Sequence, residues 1–162
     1  MACPYFIPTT PHPGELWPHR YNLPLGDGFA GHCSARPSGE ECDVETLRSQ
    51  CNLGYAQCGH LPADRELDAV RFYVKSGSPQ ASEGPAILRV QFCGERAHHP
   101  SMAGELRFNQ SSDAWMDLPD PRLAALADAA VRVWINTHAR CAAAGTSEIS
   151  CNVRVSAESN KE

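Results

Sequence analysis

The chain has 162 residues, 42% of them hydrophobic and 20% charged, and 14 Lys and Arg against 19 Asp and Glu give a formal net charge of −5. That length buries a core without help from disulfides, and the acidic balance, with no dense Lys/Arg stripe, argues against nucleic acid as a partner. Apolar runs such as AIL and FYV are far too short to insert into a membrane.

MACPYF shows neither the basic n-region nor the apolar h-region of a secretion signal. The reading that follows is a cytoplasmic protein. In a reducing compartment eight cysteines are better read as metal ligands or buried thiols than as four disulfides.

Residues 1–62 hold eight of the thirteen prolines, seven of the twelve glycines and five of the eight cysteines. Pro4, Pro8, Pro11, Pro13, Pro18 and Pro24 leave no room for a long helix. The one helical stretch is CDVETLRSQC, with Asp43 as N-cap and Val44, Leu47 and Cys51 on one face. So little apolar periodicity predicts a loop-rich lobe, residues 1–64, organised around a metal.

Residues 65–162 read as an antiparallel sheet and a helix. DAVRFYVK alternates Val70, Phe72 and Val74 against Arg71 and Lys75, and AILRVQFCGERA alternates again. HHPSMAG reads as a turn, and ELRFNQ as a third short strand. DPRLAALADAAVRVWINTHARCAAAG is the strongest helix, with Asp120 as N-cap, Pro121 at the first position and Gly145 past its end. Leu123, Leu126, Ala130, Trp134 and Cys141 form its apolar face, opposite Asp128, Arg132 and Arg140. A last edge strand is expected at 151–155. The fold class is therefore α+β: a small antiparallel sheet covered by one long C-terminal helix, with a loop-rich N-terminal metal or cluster lobe, the two parts forming one compact unit.

Four cysteines stand in distinctive surroundings: Cys3 in ACPYF, Cys33 in GFAGHC, Cys51 in CNLGYA and Cys58 in CGHLP. Thiolates hold both iron–sulfur clusters and structural zinc, commonly in fours, and Cys-Pro recurs in ferredoxin runs. The spacing, C-x29-C-x17-C-x6-C, lacks the tight Cys-x-x-Cys pair and does not by itself separate iron–sulfur from zinc. Cys42, in SGEECDVE, reads as exposed, and its acidic neighbours disfavour a thiolate. It ranks as a substitute ligand, as does His60, which would complete a mixed Cys–His zinc site. Cys93, Cys141 and Cys151 read as packed strand and helix residues.

CPYF, LPLGDGFAGHC, CNLGYAQC, LDAVRF and GELRF together resemble a group of short, uncharacterised bacterial cysteine-containing proteins with the same order of segments. The resemblance carries over no activity. It implies only that Cys3, Cys33, Cys51 and Cys58 belong together, with Cys42 outside the set.

The expected function is a [4Fe–4S] protein acting in electron transfer, alone or as the small redox subunit of a larger complex, with a redox protein as partner. Tyr5, Phe6, Phe29 and Tyr55 would shield the cluster from water. A zinc-stabilised interaction or scaffold protein is the first alternative. An enzyme with Cys33 or Cys51 as nucleophile is the second, although no catalytic signature surrounds either.

Overall fold

The computed structural model describes residues 1–13, 16–37, 39–53, 58–76, 87–117 and 120–143. Two antiparallel sheets and a long C-terminal helix make an α+β fold. β1 (Phe6–Pro11) and β2 (Phe29–Cys33) form a two-stranded ribbon. β3 (Ala69–Ser76), β4 (Ile87–Arg96), β5 (His99–Asn109) and β6 (Ala114–Trp115) form a four-stranded meander. Between them, α1 (Val44–Thr46) runs into a π turn at Leu47–Cys51. α2 (Pro121–Ala143) follows the second sheet.

The alternation in β3 and β4 puts Val70, Leu88 and Val90 on the covered face, where Leu106 and Phe108 of β5 join them. α2 closes that face with Ala127 and Val131. Asp120 caps the helix, its Oδ1 accepting from Arg122 N at 2.7 Å. The third strand starts earlier than its sequence suggests. Ala97 and His98 both take positive φ, 48° and 64°, so Arg96 and His99 pair across a two-residue turn. Pro100 is tolerated because the register shifts beside Gly94 and Glu95.

The buried stripe of α2 differs from the expected one. Leu123, Leu126, Ala127, Ala129, Ala130 and Val131 are buried, whereas Trp134 is only partly covered and stacks on His138, ring centroids 3.7 Å apart. The helix is buried on two flanks because it has two neighbours. Ala127 and Val131 meet the sheet; Leu123, Leu126, Ala129 and Ala130 meet Phe6, Leu25 and Phe29 of the N-terminal lobe. That lobe therefore shares an apolar core with α2 and the start of β3. The expected cap Gly145, the strand at 151–155 and Cys151 lie outside the described residues.

The N-terminus is held by backbone bonds. Ala2 N donates to Val70 O at 2.7 Å and Val70 N to Ala2 O at 2.9 Å, adding a bridge to the start of β3. Cys3 N then donates to Cys51 O at 3.2 Å. Pro4 follows in the second position of a turn that Phe6 N closes on Cys3 O at 3.1 Å.

Candidate metal centre

Five cysteines from five separate stretches converge on one pocket, whose lining also includes Phe6, Arg36, His60 and Leu61. Cys3 arrives on the anchored N-terminus. Cys33 ends β2, directly opposite Phe6 in the β1–β2 register. The ribbon is tight here: a Cβ on Gly31 would lie 2.2 Å from Ile7 O, so only glycine fits.

Cys42 reaches the pocket because the chain runs back beside β2. Glu41 bridges His32, and Cys42 N donates to Gly31 O at 2.9 Å. Glu40 and Glu41 stay in solvent while Cys42 turns inward, 7% exposed. The acidic neighbours suggested an exposed thiol; extended backbone sends neighbouring side chains to opposite sides, and this decides the matter.

Cys51 ends the π turn. Asp43 caps the preceding helical turn, accepting from Thr46 N at 2.9 Å and Thr46 Oγ1 at 2.7 Å. The i→i+5 bond from Asn52 N to Leu47 O, 3.3 Å, widens the turn. Leu47 and Cys51 fall on the buried side, but Val44 is left 52% exposed, off the face expected for it. Cys58 is half-buried and opens a turn closed by Leu61 N on Cys58 O at 3.1 Å.

Asn52, which the sequence reading passed over, fixes the geometry between these elements. It is 1% exposed. Its Oδ1 accepts from Phe29 N at 2.9 Å, and its Nδ2 donates to Phe29 O at 3.0 Å and Leu47 O at 3.2 Å. The side chain thus takes the place of a paired strand next to β2. A polar amide immediately after Cys51 is the signal the sequence offers.

The thiols are close enough to influence one another. Cys51 Sγ and Cys42 Sγ lie 3.7 Å apart. Burial foremost, with smaller contributions from the neighbouring Cys33 and Cys58, pushes the Cys3 thiol up to about 11. Burial also raises Cys51, with Cys42 next in effect, and raises Cys42, against which the Arg36 charge works. In the metal-free protein Cys3, Cys42 and Cys51 are therefore neutral thiols at neutral pH. Several thiolates could share this pocket only around cations.

The enclosed space between the side chains is about 10 Å³, room for about one water. Among the described residues, no three His, Cys, Asp or Glu side chains are grouped as ligands of a single metal ion.

Of the expected shielding residues, Phe6 lines the pocket. Phe29 is buried in the adjoining core, and Tyr5 packs at its edge under the Arg122 guanidinium, 5.1 Å from the ring centroid. Tyr55 lies outside the described residues. His60 Nε2 is 2.9 Å from Arg36 Nη2. Arg36 Nε is buried and has no hydrogen-bond partner. Away from the pocket, Cys93 is a half-buried free thiol in β4, a strand residue as expected, and Cys141 lies in α2 and is disulfide-bonded.

No known protein family, curated protein or solved structure matches the chain.

Proposed function

We propose that the cysteine pocket binds an iron–sulfur cluster of the [4Fe–4S] type and that the protein serves electron transfer, as a carrier or as the small redox subunit of a larger complex. The observation that carries this reading is the convergence of five cysteines on one apolar pocket. Cys3, Cys33, Cys51 and Cys58 supply the thiolates. In a cubane each cysteine binds its own iron, so the sulfurs surround the site from a distance and do not meet at one ion. Their grouping around a common pocket suits that arrangement. With about 10 Å³ enclosed, loading requires the thiols to turn outward.

A second reading, one zinc ion with Cys42 in place of Cys58, is favoured by one distance. Two thiolates on a tetrahedral zinc with Zn–S bonds of about 2.3 Å lie about 3.8 Å apart. The 3.7 Å between Cys42 and Cys51 is close to that edge. The cysteine-nucleophile reading gains no support, because a Cys51 thiol raised by burial is the reverse of an activated one. A cytoplasmic setting suits the six free thiols among the described residues; the disulfide at Cys141 does not add to it.

The test is protein purified without oxygen, assayed for iron, acid-labile sulfide, zinc and visible absorbance. The cluster reading expects iron and sulfide in equal amounts, lost in Cys3→Ser, Cys33→Ser, Cys51→Ser and Cys58→Ser and kept in Cys42→Ser and Cys93→Ser. Colourless protein with one zinc that depends on Cys42 establishes the second reading. Metal content indifferent to every cysteine overturns both.

A further inference from the structure

Arg36 is placed where a buried anion would need it. Its backbone N–H donates to Cys33 O at 3.2 Å, closing a turn that ties it to a proposed ligand. Its side chain lines the cysteine pocket and holds His60 Nε2 at 2.9 Å through Nη2. Guanidinium donates only, so His60 Nε2 is the acceptor, and the contact fixes the plane of the fork. Another of its donors, Nε–H, is buried and unpartnered. Arg36 is half-buried, with its Nη2 end exposed, so only Nε–H is left without water or partner, and an unsatisfied buried donor is costly. The group that would satisfy it is a sulfur acceptor carrying negative charge.

We propose that Arg36 is the cationic donor to the bound cluster, its Nε–H directed at a thiolate or sulfide sulfur, and that it raises the reduction potential of the centre. The inference rests on the iron–sulfur reading of the pocket. Reduction adds one negative charge to a cluster that is already anionic, and a fixed neighbouring cation stabilises the reduced form more than the oxidised one. His60 serves by holding the fork, not as a ligand. Lysine at position 36 would keep the charge but not the planar fork.

The experiment is anaerobic reconstitution of the full chain with ferrous iron and sulfide, as wild type, Arg36→Gln and Arg36→Lys, followed by redox titration of the visible band. All three should take up the same iron and sulfide. Arg36→Gln should favour the oxidised form by about tenfold relative to wild type, a fall of about 59 mV for one electron, with Arg36→Lys between them. An Arg36→Gln protein that loads fully and titrates with wild type overturns the role of Arg36 and leaves the cluster standing. A wild-type protein that takes up no iron overturns both. Should Arg36→Gln fail to hold iron, Arg36→Lys decides: a lowered potential supports the proposal, and a wild-type potential overturns it.

Discussion

Asn52 holds Phe29 by both of its backbone groups, accepting from the N–H at 2.9 Å and donating to the C=O at 3.0 Å. One side chain thereby locks the residue after Cys51 to the strand that ends at Cys33. Asn52→Ala would leave the buried N–H and C=O of Phe29 short of partners and take from Leu47 O one of its two donors, the backbone N–H of residue 52 remaining. The expected loss is about 3 kcal/mol in urea unfolding, at the upper end for stranded buried polar groups. Asn52→Asp keeps the acceptor but sets a carboxylate against two carbonyls, and should be worse. A loss below about 1 kcal/mol for the alanine variant would show that water replaces the amide without penalty.

The metal-free protein should lose stability in alkali. Burial raises Cys3 from 9.0 in the unfolded chain to about 11 in the folded one. A raised folded-state value means that the unfolded chain loses its proton first. The stabilising effect is complete below pH 9, falls as pH rises, and is gone above about 11. For Cys3 alone the difference corresponds to about 3 kcal/mol. Cys51 and Cys42 shift in the same direction and steepen the slope. Metal affinity has the opposite dependence, since ligands bind as thiolates, and should weaken as pH falls. Urea midpoints of metal-free wild type and Cys3→Ser between pH 8 and 11 test the first claim. Parallel curves would refute it.

On α2, the two-sided burial redirects the expected core substitutions. Leu126 is fully buried against the N-terminal lobe, and Leu126→Ala should cost about 3 kcal/mol through the lost contacts and the cavity. Trp134 is only partly covered, so Trp134→Ala should cost less than Leu126→Ala despite its larger volume. Thermal unfolding of the two variants checks the ranking, and the reverse order would place the helix on the wrong face.

What could be read from the sequence followed from local chemistry. Period-two alternation marks β3 and β4, and Asp120 and Asp43 cap the helices they were expected to cap. The features that escaped it depend on long-range contacts. Trp134 reads as core on the 3.6-residue period, but the helix turns Ala127 and Val131 to the sheet because the lobe takes its other flank. Cys42 reads as exposed by composition, yet its N–H bond to Gly31 draws it inward. The lobe reads as metal-dependent because its apolar residues lack a period. Phe6 of β1, Leu25 of the connection and Phe29 of β2 come from separate elements and form a cluster only in three dimensions.

That cluster limits what removal of a metal should do. Phe6 and Phe29 remain packed on Leu123 and Leu126 of α2, and Ala2 stays bridged to Val70, without help from any cation. The segment from Cys33 to Cys51 has fewer such supports. Its anchors are the Ser34 bonds to Tyr5 O, the Glu41–His32 bridge, the Cys42 N–H bond to Gly31, the buried side chain of Leu47, the Asn52 clamp and the buried thiols, while Glu41, Asp43, Val44 and Glu45 face solvent. Local opening follows the regions with least apolar burial. In protein that has bound metal, chelation should therefore expose the Arg48–Ser49 bond of the π turn to trypsin, leaving the bonds after Arg20 and Arg132 protected. The order of cleavage products by mass spectrometry, with and without chelator, reads this directly. Simultaneous cutting after Arg20 and Arg48 would mean that the metal, and not the Phe6–Phe29 cluster, holds the whole lobe. Identical patterns in both samples would mean that no metal bears on this segment.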